Sequence, residues 1–293
     1  VAKPILLGSK EKMAAIIEEY QLELQEAEFI DVTTDSAGRE EYAAQMYEFR
    51  KRRGWTMGEC RSKIKSREYY GNMMLRDGAA DALISGLTVK YPTALRPILR
   101  IIGMEEGMRK AAGMYILLSK RGPMFFADTT INLDPTVEDL VQMVLNVADT
   151  VKRTNITPKV ALLSYSNFGS SNGPDARKMA QASSILRKDH PDLIVDGEMQ
   201  ANFALEPELL KESFPFSDLV GHQANVFIFP NLAAGNITYK MLQSFGAAEA
   251  IGPMLIGTKS SAHVLQLGAS VREIVNMATL AAVDARNRKV KKG

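Results

Sequence analysis

A single cysteine, Cys60, stands among 293 residues, so no disulfide can form within the chain, and a lone thiol fits a reducing, cytoplasmic setting. Cys60 sits in a charged helical stretch with no histidine nearby, which argues against a catalytic thiol. Histidine is almost as scarce. His190, His222 and His263 have no partner spacing that would close a metal site, so no metal is expected. An excess of one charge is missing too: 36 Lys and Arg against 34 Asp and Glu leave a net charge of +2, far from the concentrated basic surface that a nucleic-acid binder needs. The terminal run Arg286-Asn287-Arg288-Lys289-Val290-Lys291-Lys292 is a basic cluster at the end of the sequence, and it reads as a frayed, solvated tail. No apolar run approaches the roughly 18 residues of a membrane helix, and no charged-then-apolar leader opens the chain. A soluble cytoplasmic protein with neither membrane nor nucleic-acid partner is the expectation. Rossmann glycine fingerprint, Walker loop, serine elbow and Cys-His set are all lacking, which removes the usual signals for direct nicotinamide or ATP binding and for nucleophilic hydrolysis.

What is present is apolar and patterned. With 46% hydrophobic residues the chain can bury one large core or two modest ones. Short apolar runs bounded by glycine or aspartate alternate with longer stretches of helical period, the α/β pattern of buried parallel strands joined by crossover helices. Strands are placed at 4–8, 28–32, 81–85, 160–164, 193–196, 224–229 and 254–256. The runs 114–119 and 124–127 read as a hairpin across Lys120-Arg121-Gly122-Pro123, too short a link for a crossover helix. Helices fall at 10–20, 39–53, 56–65, 67–76, 93–102, 135–152, 174–188, 232–245 and 271–286. The sixth of these carries Asp134 as N-cap and Pro135 in the first turn. Two α/β lobes follow, the first 1–108 plus 258–293 and the second 109–257, with a ligand cleft expected between them.

Two features suggest an anion. The run Ser164-Tyr165-Ser166-Asn167-Phe168-Gly169-Ser170-Ser171-Asn172-Gly173-Pro174 leaves a buried strand and enters a helix, the kind of loop that offers free backbone donors and hydroxyls at the carboxyl edge of a sheet. A plain strand-to-helix connection has the same spacing. Arg50, in Arg50-Lys51-Arg52-Arg53-Gly54, and Arg96, in Leu95-Arg96-Pro97, could each give a fixed fork to phosphate or simply be solvated.

An ordered set of segments resembles the phosphate acetyl/butyryltransferase family over nearly the whole chain. It includes Gly71-Asn72-Met73-Met74-Leu75, Ala79 through Gly86, Leu95-Arg96-Pro97, Phe126-Ala127-Asp128-Thr129, Ala161 through Ser166, Asp196-Gly197-Glu198-Met199-Gln200, Ala224 through Asn231, Ala234 through Lys240, and Ala250-Ile251-Gly252-Pro253. The resemblance implies a two-lobed α/β/α fold of the isocitrate/isopropylmalate dehydrogenase-like, phosphate acetyltransferase type. It also implies a homodimer through the second lobe and a site for acetyl-CoA or CoA and phosphate. In that chemistry a carboxylate takes the thiol proton, while arginine and serine stabilise the developing oxyanion. Carried over by motif, Arg50 and Arg96 match the family's phosphate-side arginines; Thr129, where the family often has a thiol, and Ser166, Asn167, Gly169 and Ser170 of the polar loop complete the expected binding set.

One segment departs from the pattern. In Val264-Leu265-Gln266-Leu267-Gly268-Ala269-Ser270-Val271-Arg272-Glu273 the family carries Ser-Arg before the glycine, where this chain has Gln266 and Leu267; only Glu273 keeps the carboxylate, as a residual base. Losing one stabilising donor costs on the order of 3 to 4 kcal/mol. The stretch Ser85 through Arg96 and the opening Lys3-Pro4-Ile5-Leu6-Leu7-Gly8 are similar to the phosphotransacetylase-like C-terminal domain of bacterial NADP-dependent malic enzymes. That likeness implies an inert regulatory domain holding acetyl-CoA. NADP and a divalent metal, Mg or Mn, would then belong to an N-terminal malate-decarboxylating module that this chain lacks, and the start at Val1 suggests a piece of something longer. The alternative is a working phosphate acetyl/butyryltransferase.

Overall fold

A computed structural model describes residues 2–24, 26–246 and 248–290. In chain order its elements are β1 Ile5–Leu7, α1 Lys10–Glu19, β2 Glu28–Ile30, α2 Ser36–Arg50, α3 Met57–Lys63, α4 Arg67–Asp77, β3 Ala82–Gly86 and α5 Tyr91–Ile101. There follow β4 Ala112–Ser119, β5 Gly122–Ala127, α6 Val137–Lys152, β6 Lys159–Leu163, α7 Pro174–Asp189, β7 Ile194–Met199, α8 Ala201–Leu205, α9 Pro207–Ser213, β8 Val226–Ile228, α10 Leu232–Ser244 and β9 Glu249–Ile256. The chain ends with β10 Ser261–Leu265 and α11 Val271–Val290. It divides into two compact units, residues 1–103 with 258–293, and residues 104–257.

Unit 1 pairs β1 with β2 and β10 with β3, both in parallel. Met46, Ile64, Met73, Ile98 and Ile101 fill its core from α2 to α5. Removing each such side chain from water is worth about 1.5–3 kcal/mol. At the carboxyl ends Gly86 lies opposite Leu265. Gly86 has φ +105°, and a Cβ there would lie 2.2 Å from the Leu265 carbonyl oxygen, so only glycine lets β3 and β10 close at this point.

Unit 2 is a six-stranded sheet in the order β7-β6-β8-β5-β4-β9, parallel from β7 to β5 and antiparallel across β4. Phe126 meets Phe227 and Phe229 at 5.2 and 5.4 Å between ring centres, and Tyr115 stacks on Tyr239 at 4.1 Å. These rings join the strands to α10.

Four readings of the sequence are corrected. β10 was not foreseen: Ser261-Ala262-His263-Val264-Leu265 mixes polar with apolar residues, yet all five are buried. The β4–β5 turn is tighter than a four-residue link, because Ser119 pairs with Gly122. α6 begins later than Pro135, since Thr136 is the N-cap: its hydroxyl accepts from the Asp139 N–H and Asp139 accepts from the Thr136 N–H. Asp134 instead pairs with Lys178 at 2.6 Å. The basic end of the chain is helical to Val290, and Arg288 bonds to Asp284 at 2.7 Å and to the Thr258 carbonyl at 2.8 Å; Lys291 and Lys292 lie outside the described residues.

Candidate functional site

Parallel strands release their loops at the carboxyl edge, so the β3–β10 pair brings the end of one strand, Gly86, beside the segment Gln266 to Ser270. Gln266 is half-buried, while the Leu267 side chain stands 60% exposed where the resemblance would put a cation. Ser270 caps α11. Its N–H and hydroxyl donate to Glu273 Oε2 at 2.7 and 2.8 Å, and its Oγ accepts from the Glu273 N–H at 3.2 Å. This is a reciprocal capping box, with Glu273 three residues into the helix. Glu273, the possible residual base, is placed here as the carboxylate of a helix cap.

The loop from Ser164 to Gly173 uses much of its polar capacity within the fold. Every backbone N–H from 166 to 171 is already spent. Ser166 donates to Ser164 Oγ, Asn167 to Ser170 Oγ, Phe168 to the Glu198 carbonyl, Gly169 to Glu198 Oε1, Ser170 to the Asn167 carbonyl and Ser171 to Ser166 Oγ, over 2.8 to 3.2 Å. The Ser166 hydroxyl donates to Glu198 Oε1 at 2.8 Å, and Asn167 Oδ1 accepts from the Gln200 N–H at 2.7 Å. The Glu198 carboxyl group and the loop's own hydroxyls thus take up the backbone donors of residues 166 to 171. Thr129 is fully buried, with its hydroxyl 3.3 Å from the Gly113 carbonyl, so it presents nothing to a ligand. Beside it Asp128 accepts from the N–H groups of Gly113, Thr130, Ile131 and Asn132 at 2.8 to 3.1 Å. Both oxygens of Asp128 and Oε1 of Glu198 are thus occupied by donors from the fold itself.

Unit 1 behaves in the opposite way. Arg50 ends α2 and is only 8% exposed, and its Nε has no hydrogen-bond partner. Its guanidinium lies 5.5 Å from the Trp55 ring centre, with Arg100 at 5.6 Å and Lys63 at 5.2 Å from the same ring. Arg76 covers Phe49 at 4.0 Å. Burial lowers the pKa of Arg50, and the charges of Arg53, Arg100 and Arg76 lower it further; no carboxylate opposes them. Arg50, Lys63, Arg76 and Arg100 sit in the last turns of four helices, where the helix dipole favours a cation. Arg96 lies one turn before Arg100 on α5, exposed and without a hydrogen bond or ion pair among the described residues. Arg50 therefore belongs to a larger basic cluster built around Trp55 and Phe49, and Arg96 lies one turn along α5 from its member Arg100. The sequence reading missed Trp55, Lys63, Arg76 and Arg100; the available signal was the like-charge spacing Arg96-x-x-x-Arg100 and Arg50-x-x-Arg53, which no acid relieves.

Among the described residues no group of three His, Cys, Asp or Glu could hold a metal ion, and no helix is long and apolar enough to cross a membrane. Cys60 is buried, and burial raises its pKa, which leaves the thiol inert.

Comparison with known proteins agrees with this architecture. The family model described as phosphate acetyl/butaryl transferase matches residues 1–282. An NADP-dependent malic enzyme of Haemophilus influenzae is 38% identical over 98% of this chain, and the chain spans 38% of that enzyme's length. A phosphate acetyltransferase of Clostridium acetobutylicum is 34% identical over 98% of this chain and 87% of its own. The crystal structure of a phosphotransacetylase from Streptococcus pyogenes superposes with a TM-score of 0.88 at 32% identity, covering 97% of this chain and 86% of that one. By its fold, and by a match running from the first residue to within α11, the chain belongs to the phosphate acetyl/butaryl transferase family.

Proposed function

We propose that this chain is a phosphotransacetylase-like regulatory domain that binds acetyl-CoA, does not itself catalyse acyl transfer, and acts on a malate-decarboxylating, NADP-dependent malic enzyme module. The observation that carries the reading is the capping box of α11. Glu273, in the position of the family's carboxylate, is committed to Ser270, and Gln266 and Leu267 bring no cation to the edge beside it. Binding equipment is retained where reaction equipment is not: the surplus of cations around Trp55 would serve ground-state affinity for a phosphorylated ligand, whereas the missing pair serves only the transition state. NADP and a divalent metal would belong to the malic enzyme module. A homodimer or higher homo-oligomer through unit 2 is part of the proposal, and α10 supports it with Ile237, Met241 and Phe245 exposed one turn apart. So is a cytoplasmic location, in keeping with one buried thiol.

Phosphate-dependent release of CoA from acetyl-CoA, followed with a thiol reagent, tests the inert reading. The expected rate is at least about a thousandfold below an ordinary transferase, from the loss of two stabilising groups; turnover near that of such an enzyme overturns it. Gln266→Ser combined with Leu267→Arg is expected to raise the rate. Acetyl-CoA at a hundred times its dissociation constant should add about 2.7 kcal/mol of stability, and Arg50→Ala or Arg96→Ala should abolish the thermal shift. The second reading, an active phosphate acyltransferase, draws on the likeness to the Clostridium acetobutylicum enzyme, 87% of whose length is matched.

A further inference from the structure

We propose that unit 2 carries a second anion site, separate from the acetyl-CoA reading, at the end of its sheet opposite the loop 164–171, and that this site takes a small dianion with a short apolar portion. Strands β5, β6 and β8 run parallel, with Phe125 opposite Val226 and Val160 opposite Val226, so their amino ends gather at one edge. A cavity of about 280 Å³ opens there. Asn225 builds its floor. Its Oδ1 accepts from the Lys159 N–H at 2.8 Å, its Nδ2 donates to the Thr157 carbonyl at 2.9 Å, its N–H donates to the Lys159 carbonyl at 3.0 Å, and its carbonyl accepts from the Phe125 N–H at 2.8 Å. With that amide fully used, recognition falls to the groups around it.

Those groups divide by chemistry. Arg121 and Lys159 bring two positive charges, Gln223 a free amide, and Pro123, Met124 and Ile156 an apolar wall; no Asp or Glu lines the cavity. Arg121 donates from Nη1 to the Leu205 carbonyl at 2.7 Å, which fixes the guanidinium and leaves its other donors open. Neither Arg121 nor Lys159 enters an ion pair among the described residues. Two cations without a paired carboxylate, one of them anchored, select a doubly charged ligand. The volume sits at the lower edge of the ~300–1,000 Å³ usual for small-molecule pockets, so the ligand is metabolite-sized. A dicarboxylate and a phosphate monoester share this chemistry.

Calorimetric titration of the whole chain at low ionic strength with succinate, with inorganic phosphate and with monoanionic butyrate tests the proposal. Saturable binding of at least one dianion, with butyrate much weaker, is expected; the tighter dianion tells a carboxylate from a phosphate ligand. Arg121→Gln and Lys159→Gln should each weaken binding at least about tenfold, while Lys159→Arg retains it and Arg50→Ala leaves it unchanged. A shift of the Met124 methyl resonance, identified through Met124→Leu, places the ligand against the apolar wall. Absence of saturable binding at millimolar concentrations overturns the proposal. So does binding that survives Lys159→Gln, that disappears in Arg50→Ala, or that leaves Met124 unmoved.

Discussion

In unit 2, Glu198 and Asp128 draw the polar groups of the carboxyl edge inward, whereas in unit 1 Arg50, Arg53, Arg76 and Arg100 act on one another with no carboxylate among them. Both regions are polar, and both looked equally able to hold an anion in the sequence. The difference lies in where the counter-charge comes from. Unit 2 supplies its own, from a strand 32 residues beyond Ser166, and so closes its loop into structure. Unit 1 pairs Lys63 with Glu59 but surrounds Arg50 with like charge, which is a cost to the isolated fold and, on the function proposed above, the place for a ligand.

The largest test of that contrast is Glu198→Ala. It removes the acceptor of the buried Ser166 hydroxyl and of the Gly169 N–H, and with them the link from the loop to β7. A loss of about 3 to 5 kcal/mol in urea unfolding is expected; a loss below about 1 kcal/mol would mean that water replaces the carboxylate and that the loop is an open cradle after all. Next comes the buried polar node of unit 1 that does resemble those of unit 2. His263 is wholly enclosed, its Nε2 lies 3.0 Å from Ser261 Oγ, and burial depresses its pKa to about 4, with Asp284 acting upward and Arg288 downward. Because the folded value lies below the unfolded one of about 6.5, the unfolded chain takes up a proton first as pH falls. Stability present above pH 6.5 should therefore decline between about 6.5 and 4, by on the order of 3 kcal/mol. His263→Gln should flatten that slope in unfolding measured against pH. A smaller effect is expected at α11, where Glu273→Ala should cost about 1 kcal/mol through the capping box and should leave any residual CoA release unchanged. Smallest in stability is Arg50→Met, which removes an enclosed cation and keeps its bulk; it should be neutral or stabilising by up to about 1 kcal/mol while acetyl-CoA binding is lost. Marked destabilisation by Arg50→Met would move the cluster from the ligand's side to the fold's.

Much of the fold could be read from the chain because apolar runs bounded by glycine report buried strands directly. The seven single strands and the hairpin were placed this way. β10 escaped because its burial depends on partners far along the chain: Ser261 Oγ donates to the Ala281 carbonyl and lies 3.0 Å from His263 Nε2, so polar residues pass as core. The start of α6 was displaced because Asp134 and Thr136 are both suitable caps, and the competing ion pair to Lys178 decides between them. At the site, local spacing identified a polar loop but could not say whether its donors were free, since the acceptor Glu198 belongs to another strand. The cations around Trp55 come from α2, α3, α4 and α5, and only the packing of those helices assembles them.

Gly86 gives the altered edge a further meaning. Because the two strand ends touch backbone to backbone there, with no side chain wedged between them, the course of the main chain into Gln266 and Leu267 does not depend on which side chains those positions carry. The edge can be rewritten without being rebuilt. On the regulatory function proposed above, trading serine and arginine for glutamine and leucine leaves the scaffold standing, and the same economy makes the exchange reversible at the bench.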